Sequence, residues 1–419
     1  MEILSTGEKI KRARVYKGLT LKELCEDKIS VSKMSCIENN KIKAEPWILE
    51  FISQKLDIEY KYLKKDTKEH LLENLERIKI QINEQDCEEE IRHNLEYAEL
   101  YKYYDIAMQL MHLLFVKHLD SNNLQTLEEL QCRYYDIYEK VYSIKTHRIY
   151  YIDMAKYLYL SKEYLQAANY YNNVRQNIEI SNEDNFNEFT TIIYNEASCY
   201  VMLKSYDRAY EIIMEAIEYV DDLENELLKA EIYHMMAFLC LRMNDKRFAE
   251  FEKKALKSYK SDSIHKAKAM NEYASIMLEL GLKTEGLEYI DKGLKVCPKD
   301  DKKTYVDFLL TVCSILIKNK YIDKAEGICS KALDYAINLD EINLVERAYY
   351  IKALICIEFN NEYSAEMYMN LALDSLIKFA SKKDIHDRYL AMGKMYFKFK
   401  NTREALKYFN LAISLKGYI

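Results

Sequence analysis

The sequence predicts an all-α protein in which a small N-terminal helical domain precedes a right-handed α-solenoid. Only 8 glycines and 2 prolines occur among 419 residues, which leaves few turn residues for a sheet, and the 49% of hydrophobic residues can fill a large core. Small residues recur every 37 to 42 positions, at Ala167, Ala209, Ala249, Gly286, Ala325, Ala365 and Ala405. Twelve positions before each stands another small residue or a cysteine, namely Ala155, Ala197, Ala237, Ala274, Cys313, Ala353 and Gly393. Because packed helices need small residues where their backbones approach closely, this ladder predicts stacked helical hairpins.

The first predicted element is an amphipathic helix over residues 7–16. Gly18 follows it and suits the left-handed backbone of a helix C-cap. Thr20 and Glu23 then have the spacing of a capping box, in which the threonine hydroxyl binds a backbone N–H and the glutamate reaches back. A second helix is therefore expected over 20–26.

A third helix is predicted over Val31–Glu38, with Ser30 as its N-cap. Pro46 starts a fourth helix at the first position, which proline favours. The third helix would bury Met34 and Ile37 and expose short side chains, so that it could enter the major groove of DNA. The candidate DNA-binding residues in this region are Thr20, Lys22, Ser30, Val31, Ser32, Lys33, Ser35, Cys36, Asn39, Asn40, Lys41 and Lys43.

The charge distribution fits a limited contact with DNA. Residues 1–66 carry 14 Lys+Arg and 11 Asp+Glu, a net charge of +3, whereas the remainder carries 47 and 57, a net charge of −10. A weakly basic domain on an acidic body suits binding to phosphates through one face.

Residues 1–66, and above all the segment from Gly18 to Ile58, resemble the Cro-type (XRE) helix-turn-helix domain. Leu21 stands where that family usually has a glutamine that contacts DNA, Lys28 stands near the usual turn glycine, and Asn40 replaces a common glycine. The resemblance implies binding to double-stranded operator DNA. From the residues alone, a five-helix dimerisation or docking module is the alternative.

Between Leu24 and Glu38 the segment is also one residue shorter than the consensus of that family. This shortening is associated with peptide-regulated members.

Residues 67–86 are predicted to form a linker helix. Apolar residues recur there at helical spacing, at Leu71, Leu72, Leu75, Ile78 and Ile82. Such a helix would transmit orientation between the two flanking regions.

Residues 87–419 resemble an array of tetratricopeptide repeats. Runs such as Ala197…Tyr200…Tyr206…Ala209 follow the repeat pattern, and Pro298 stands where the repeat has its terminal proline. The period near 40 exceeds the standard period of about 34, so helices or loops must be longer. Seven clear repeats are expected, with at least one degenerate hairpin in 87–145.

The first helix of each hairpin is expected to line the inner surface of the solenoid, which would bind a peptide. An asparagine carboxamide there can pair with the N–H and C=O of an extended peptide, and cationic side chains can bind its carboxylate. The candidate peptide-binding residues are Tyr194, Asn195, Ser198, His234, Phe238, Arg242, Lys268, Asn271, Ser275, Thr311, Arg347 and Tyr350. The alternative is that they are ordinary solvated residues.

Several functional classes are disfavoured. No catalytic constellation or phosphate-binding glycine loop occurs, and no His/Cys spacing fits a metal, so neither an enzyme nor a cofactor is expected. The 10 cysteines form no Cys-x-x-Cys pair and are expected to be reduced and in the core. No apolar stretch approaches the roughly 20 residues of a membrane span, and a cytoplasmic location is expected.

Taken together, these regions resemble the RRNPP group of cytoplasmic peptide-pheromone receptors. The resemblance implies a homodimer whose solenoid binds an imported linear peptide and thereby changes how its two DNA-binding domains are placed. The alternative is an interaction protein that binds a phosphorelay response regulator. A glutamine such as Gln81, Gln85 or Gln109 could then position water for dephosphorylation.

Overall fold

The computed structural model describes residues 3–81, 87–178 and 183–416, which fold into helices without a strand in those ranges. The helices are α1 Thr6–Tyr16, α2 Leu21–Cys25, α3 Val31–Glu38, α4 Pro46–Leu56, α5 Tyr60–Lys64, α6 Thr67–Gln81, α7 Glu88–Leu100, α8 Tyr104–Asp120, α9 Leu124–Lys140, α10 Ile144–Leu160, α11 Tyr164–Gln176, α12 Glu183–Met202, α13 Tyr206–Ile217, α14 Glu226–Arg242, α15 Phe248–Ser258, α16 Ser263–Glu279, α17 Lys283–Val296, α18 Lys302–Lys318, α19 Ile322–Leu339, α20 Ile342–Glu358, α21 Glu362–Leu376, α22 Lys382–Lys398 and α23 Thr402–Lys416. A short 3₁₀ turn, Val220–Asp222, precedes α14.

The chain divides into two compact units. The first unit comprises residues 1–181 and 195–205, and the second comprises 182–194 and 206–419. The predicted all-helical class is confirmed for the described residues.

Helices α1 to α5 pack around their own apolar core within the first unit. Its fully buried members include Ile10, Leu24, Met34, Ile48 and Ile52. This core is distinct from the one formed by α6 to α10.

The caps predicted in this region are present. Thr20 and Glu23 form the expected capping box, and α3 has the predicted bounds with Ser30 as its cap. The second helix is shorter than predicted, because Glu26 has a φ of 47° and ends it at Cys25.

Helix α6 packs its apolar stripe against α7 and α8. Leu71, Leu75 and Ile78 are buried there, spaced four and three residues apart. The assignment of Leu72 to this stripe was wrong: it is 40% exposed, because a one-residue step turns a helical side chain by about 100°. Ile82 and the rest of the predicted linker after 81 lie outside the described residues.

The region predicted to hold a degenerate hairpin contains α7 and α8, which pack against each other as a helical hairpin. Ala98 and Ala107 are fully buried in their interface. That prediction is confirmed, and α9 continues the packing.

In the second unit, α14 to α23 form five successive helical hairpins. The small-residue ladder lies where these helices meet, since Ala237, Ala274, Cys313 and Ala353 are all fully buried. A Cβ atom on Gly286 would lie 2.7 Å from Cγ of Leu278, so this position requires glycine for close packing.

The ladder assignment of Ala249 was wrong, because this residue is exposed. Helix α15 begins only at Phe248, and Phe251 is its buried residue in the first turn. The buried position that continues the small-residue ladder is therefore Phe251, two residues later, and its side chain is aromatic.

Most turns between successive packed helices contain a residue with a left-handed backbone two positions after the preceding helix ends. These residues are Lys102, Asn122, Lys162, Lys204, Asn244, Gly281, Lys320, Asn360 and Lys400. The backbone N–H of the following residue then returns to a carbonyl in the last turn of the helix, as from Asn361 to Cys356 at 2.9 Å. Glycine occurs at only one of these turns, so sequence inspection did not find them.

Candidate functional site

The first candidate surface is the outer face of α3. Met34 and Ile37 point into the core, while Val31 and Ser32 are exposed and Cys36 is half-buried. The Ser30 hydroxyl accepts a hydrogen bond from the backbone N–H of Lys33 at 3.2 Å. The prediction of a short, largely polar outer face on this helix is confirmed.

The side chains beside this face are partly held by protein contacts. The Lys33 ammonium donates to Oε1 of Glu45 at 2.8 Å, and Nε1 of Trp47 donates to Oε2 of the same carboxylate at 2.6 Å. Asn39 donates to the backbone oxygen of Ser35 at 2.8 Å. A DNA phosphate would therefore have to compete with Glu45 for Lys33.

The remaining predicted DNA-binding residues surround α3 and are exposed, namely Thr20, Lys22, Asn40, Lys41 and Lys43. The Thr20 hydroxyl is engaged in its capping box. Asn40 has a φ of 56°, the left-handed conformation expected of an asparagine that closes a helix.

A buried ion pair that sequence analysis missed fixes the orientation of α3. Arg14 on α1 forms two hydrogen bonds to Glu38 at the end of α3, at 2.6 and 2.9 Å, and a third to the backbone oxygen of Leu19 at 2.8 Å. Glu38 is only 4% exposed, and its hydrogen bonds raise the pKa of Arg14 above its ordinary value. Such bidentate pairs have strict geometry, so α3 is held rigidly against α1.

Helix α1 is also joined to the rest of the first unit. The buried Lys9 ammonium donates to the backbone oxygens of Tyr62 and Lys65, at 2.8 and 2.6 Å, and lies 3.1 Å from Nε2 of His70 on α6. Tyr101, beyond α7, donates to Oε2 of Glu8 at 2.9 Å. The helices that carry the outer face of α3 are thus bonded to α6 and to the end of α7 within the first unit.

The second candidate surface is formed by the first helices of the hairpins in the second unit. Arg242 on α14 donates to Oε2 of Glu279 on α16 at 2.6 Å, and Lys318 on α18 donates to Oε1 of that carboxylate at 2.5 Å. These hydrogen bonds outweigh the effect of burial and lower the pKa of Glu279. The guanidinium of Arg242 also lies 5.6 Å from the ring of Phe238. Two predicted peptide-binding residues are therefore brought together here, and Glu279 holds three hairpins in register.

Neighbouring predicted residues in this unit already have protein partners. Tyr194 donates to Glu231 at 3.1 Å, and His234 contacts the hydroxyl of Tyr273 at 2.8 Å and the Glu272 carboxylate at 3.1 Å. They are half-buried rather than free on the surface.

The expectation that Asn271 lines an open inner surface was wrong. It is 2% exposed and shares a face of α16 with Ala267 and Ala274, at spacings of four and three residues. That face packs on α17, where a Cβ atom on Gly293 would lie 3.6 Å from Oδ1 of Asn271. Neither polar atom of its carboxamide has a hydrogen-bonding partner among the described residues.

Other predicted residues occupy the surfaces of both units. In the second unit Lys268 and Thr311 are exposed and Ser275 is half-buried, and the Thr311 hydroxyl donates to the backbone oxygen of Asp307 at 2.9 Å. Asn195 and Ser198 are half-buried and belong to the first unit.

Arg347 and Tyr350 line a cleft of about 510 Å³ between α20 and α22. Arg388 on α22 lies 3.5 Å above the ring of Tyr350 and pairs with the buried Glu346 on α20. Arg347 pairs with Asp307 on α18. Arg388 and Glu346 were missed in the sequence because they are 42 positions apart.

The glutamines considered for phosphorelay chemistry lie in the first unit. Gln81 lines a cleft with Arg77 and Glu90, and Gln109 accepts a hydrogen bond from Lys79 at 3.0 Å. Gln85 lies outside the described residues. No catalytic constellation is formed around Gln81 or Gln109 by the contacts described.

All ten cysteines are free thiols, but two of them are not in the core as expected. Cys132 is exposed and Cys36 is half-buried. Within ranges 3–81, 87–178 and 183–416, no three His, Cys, Asp or Glu residues are grouped to hold a metal ion. Over the same ranges, every helix is too short or too polar to span a lipid bilayer.

No protein-family model and no curated protein sequence matches the chain. Solved structures do match it, among them the apo form of the quorum sensor NprR from B. thuringiensis, with 17% identity, 84% of this chain and 100% of that chain covered, and a TM-score of 0.43. A Rap protein complexed with competence and sporulation factor has 12% identity, coverages of 84% and 98%, and a TM-score of 0.47. Bacillus thuringiensis PlcR in complex with the peptide PapR7 and DNA has 18% identity, coverages of 61% and 94%, and a TM-score of 0.28. NprR, Rap proteins and PlcR all belong to the RRNPP group that the sequence resembles.

Proposed function

We propose that this chain is a cytoplasmic transcriptional regulator that binds operator DNA through a Cro-type helix-turn-helix domain and is controlled by a short linear peptide. In this proposal α2 and α3 form the helix-turn-helix, residues 1–66 bind DNA, and tetratricopeptide-like hairpins in 87–419 bind the peptide. The regulator acts as a homodimer, because paired half-sites are read by paired domains.

The observation that carries the DNA-binding half is the outer face of α3. This face combines exposed short side chains with a capped first turn, and the Arg14–Glu38 pair holds it rigidly. A helix with small side chains can approach base edges in the major groove, and exposed lysines at positions 41 and 43 can contact the adjacent phosphates.

The peptide-binding half is supported by contacts between the first helices of the hairpins in the second unit. Its hairpins are linked by ion pairs between successive first helices, such as Arg242–Glu279 and Arg347–Asp307. A peptide whose charged groups replace one partner of such an ion pair would alter how neighbouring hairpins are held together. A ligand shifts a conformational equilibrium only through such differential contacts.

Two measurements test this proposal. Native mass spectrometry of protein purified from its own host should detect a retained small peptide and a dimer. Selection of host genomic DNA fragments on the immobilised protein should enrich a two-fold symmetric sequence, and Ser32→Glu should abolish the enrichment. If no sequence is enriched while a response regulator co-purifies, the DNA-binding proposal is wrong and the protein instead acts on a phosphorelay.

A further inference from the structure

The cleft between α20 and α22 has the size of a ligand site. Its volume of about 510 Å³ lies within the roughly 300–1,000 Å³ usual for binding pockets. Leu376, Phe379 and Ala391 supply apolar walls, and Phe379 is 44% exposed. A ligand with an apolar stem can therefore lie against this surface.

Both arginines that line the cleft already have acidic partners. The Arg388 side chain is 10% exposed, pairs with Glu346 and is stacked on Tyr350. The Arg347 guanidinium pairs with Asp307. Each guanidinium is thus already partly neutralised by a neighbouring carboxylate.

Two lining acids have no arginine or lysine partner among the described residues. Asp384, in the first turn of α22, accepts hydrogen bonds only from Ser381, and Asp387 contacts only the imidazole of His386, at 3.0 Å, among the described residues. The Asp387 side chain is 64% exposed. The charge of Asp384 also reaches Glu346, whose pKa is raised by burial and, to a smaller extent, by this neighbour.

We infer that this cleft binds a cationic group on an apolar stem, with Asp384 and Asp387 pairing with the cation and Phe379 and Leu376 contacting the stem. This inference rests on the proposed function, since the group would belong to the regulatory peptide. Its source is either a lysine or arginine side chain or the peptide's amino terminus. For this cleft the inference differs from the expectation that a cationic side chain binds a carboxylate of the peptide.

Defined peptide pools provide the test. Three hexapeptide pools have acetylated and amidated ends and contain lysine, glutamate or leucine at one fixed position, with uncharged residues elsewhere. A fourth pool contains leucine and a free amino terminus. Equilibrium dialysis against the full-length protein, followed by mass spectrometry, measures the retention of each pool.

Wild-type protein should retain the lysine pool or the free-amino pool up to about fivefold above the glutamate pool, since one exposed ion pair contributes up to about 1 kcal/mol. The variant Asp384→Asn/Asp387→Asn should lose most of this preference. Asp387→Asn alone should lose part of it, and it lies outside the capping box of Ser381, so folding is not in question. The control Glu285→Gln/Asp300→Asn removes two exposed charges from the same unit and should retain the preference.

Different results would overturn the cationic assignment and the proposal of peptide binding. Equal retention of the lysine and glutamate pools, or a preference that survives Asp384→Asn/Asp387→Asn, overturns the cationic assignment while peptide binding stands. Retention of none of the four pools overturns both the assignment and the peptide-binding half of the proposed function.

Discussion

Tyr101 donates a hydrogen bond of 2.9 Å to the carboxylate of Glu8 and so connects the end of α7 to the first turn of α1. Glu8 also accepts from the backbone N–H and the hydroxyl of Ser5, which cap α1. Burial alone would raise the pKa of Glu8, but these hydrogen bonds outweigh it and lower the pKa. Burial, followed by the bond to Glu8, raises the pKa of Tyr101 to about 12. The carboxylate is thus shared between a helix cap and a contact between α1 and the end of α7.

Replacing Tyr101 with phenylalanine should loosen α1 from α7. A hydrogen bond to a charged group contributes about 1.5–3 kcal/mol, so amide hydrogen exchange in α1 should accelerate roughly tenfold or more. Tyr16→Phe is the matched control, because Tyr16 is on the same helix and 92% exposed. Equal exchange rates in the two variants would mean that Tyr101 does not anchor α1.

Lys9 predicts a pH dependence of stability. Burial, and then the charge of Lys65, lower the pKa of Lys9 to about 8 in the folded protein, against about 10.4 in an unfolded chain. Between these values the unfolded chain binds more protons, so the stabilising contribution of this site rises as pH increases from about 8 to 10. The difference in unfolding free energy between wild type and Lys9→Met should increase by about 1 kcal/mol per pH unit. A difference that is flat over this window would show that Lys9 stays charged.

The hairpin packing predicts opposite effects for two glycines. Gly286→Ala should destabilise the protein by about 1–3 kcal/mol, because its Cβ would overlap the side chain of Leu278. Gly327→Ala in α19 meets no atom within 4 Å and should stabilise it by about 0.5–1 kcal/mol through helix propensity. Thermal unfolding measures both. Equal effects would contradict the close approach at Gly286.

Replacing Asn271 with leucine should increase the stability of the protein. Its carboxamide is buried without a hydrogen-bonding partner among the described residues, and an unpaired buried polar group costs about 1–3 kcal/mol. Asn271→Leu keeps the shape and removes this cost, so the midpoint of urea unfolding should increase. If the midpoint falls instead and peptide retention is lost, Asn271 is a ligand contact as the sequence suggested.

The parts of the structure that are decided locally could be predicted from the sequence. The bounds of α3 follow from the Ser30 cap and the buried pair Met34 and Ile37, all within a few residues. By contrast, the Arg14–Glu38 and Glu346–Arg388 pairs join residues 24 and 42 positions apart. Nothing in the sequence indicates which distant charges will meet.

Two assignments were wrong because burial depends on where a residue lies on its helix. Ala249 was assigned to the ladder by spacing, but α15 begins too late to bury it. Asn271 was assigned to the inner surface, although α16 has apolar residues on several faces and the side chain turned toward α17. The acidic cleft residues were missed because capping by Ser381 is sufficient to explain Asp384, and because Asp387 belongs to no motif.

Fluorescence anisotropy of a labelled duplex carrying the sequence enriched from host genomic DNA tests the central claim most directly. The duplex is titrated with protein in the presence and absence of the peptide retained from the host, with Ser32→Glu as the variant that blocks the α3 face and Ser261→Glu as the matched control. We expect the peptide to change the affinity of wild type and of Ser261→Glu at least fivefold, and Ser32→Glu to bind at least tenfold more weakly in both conditions. Identical wild-type curves with and without peptide, or unchanged binding by Ser32→Glu, would contradict the account.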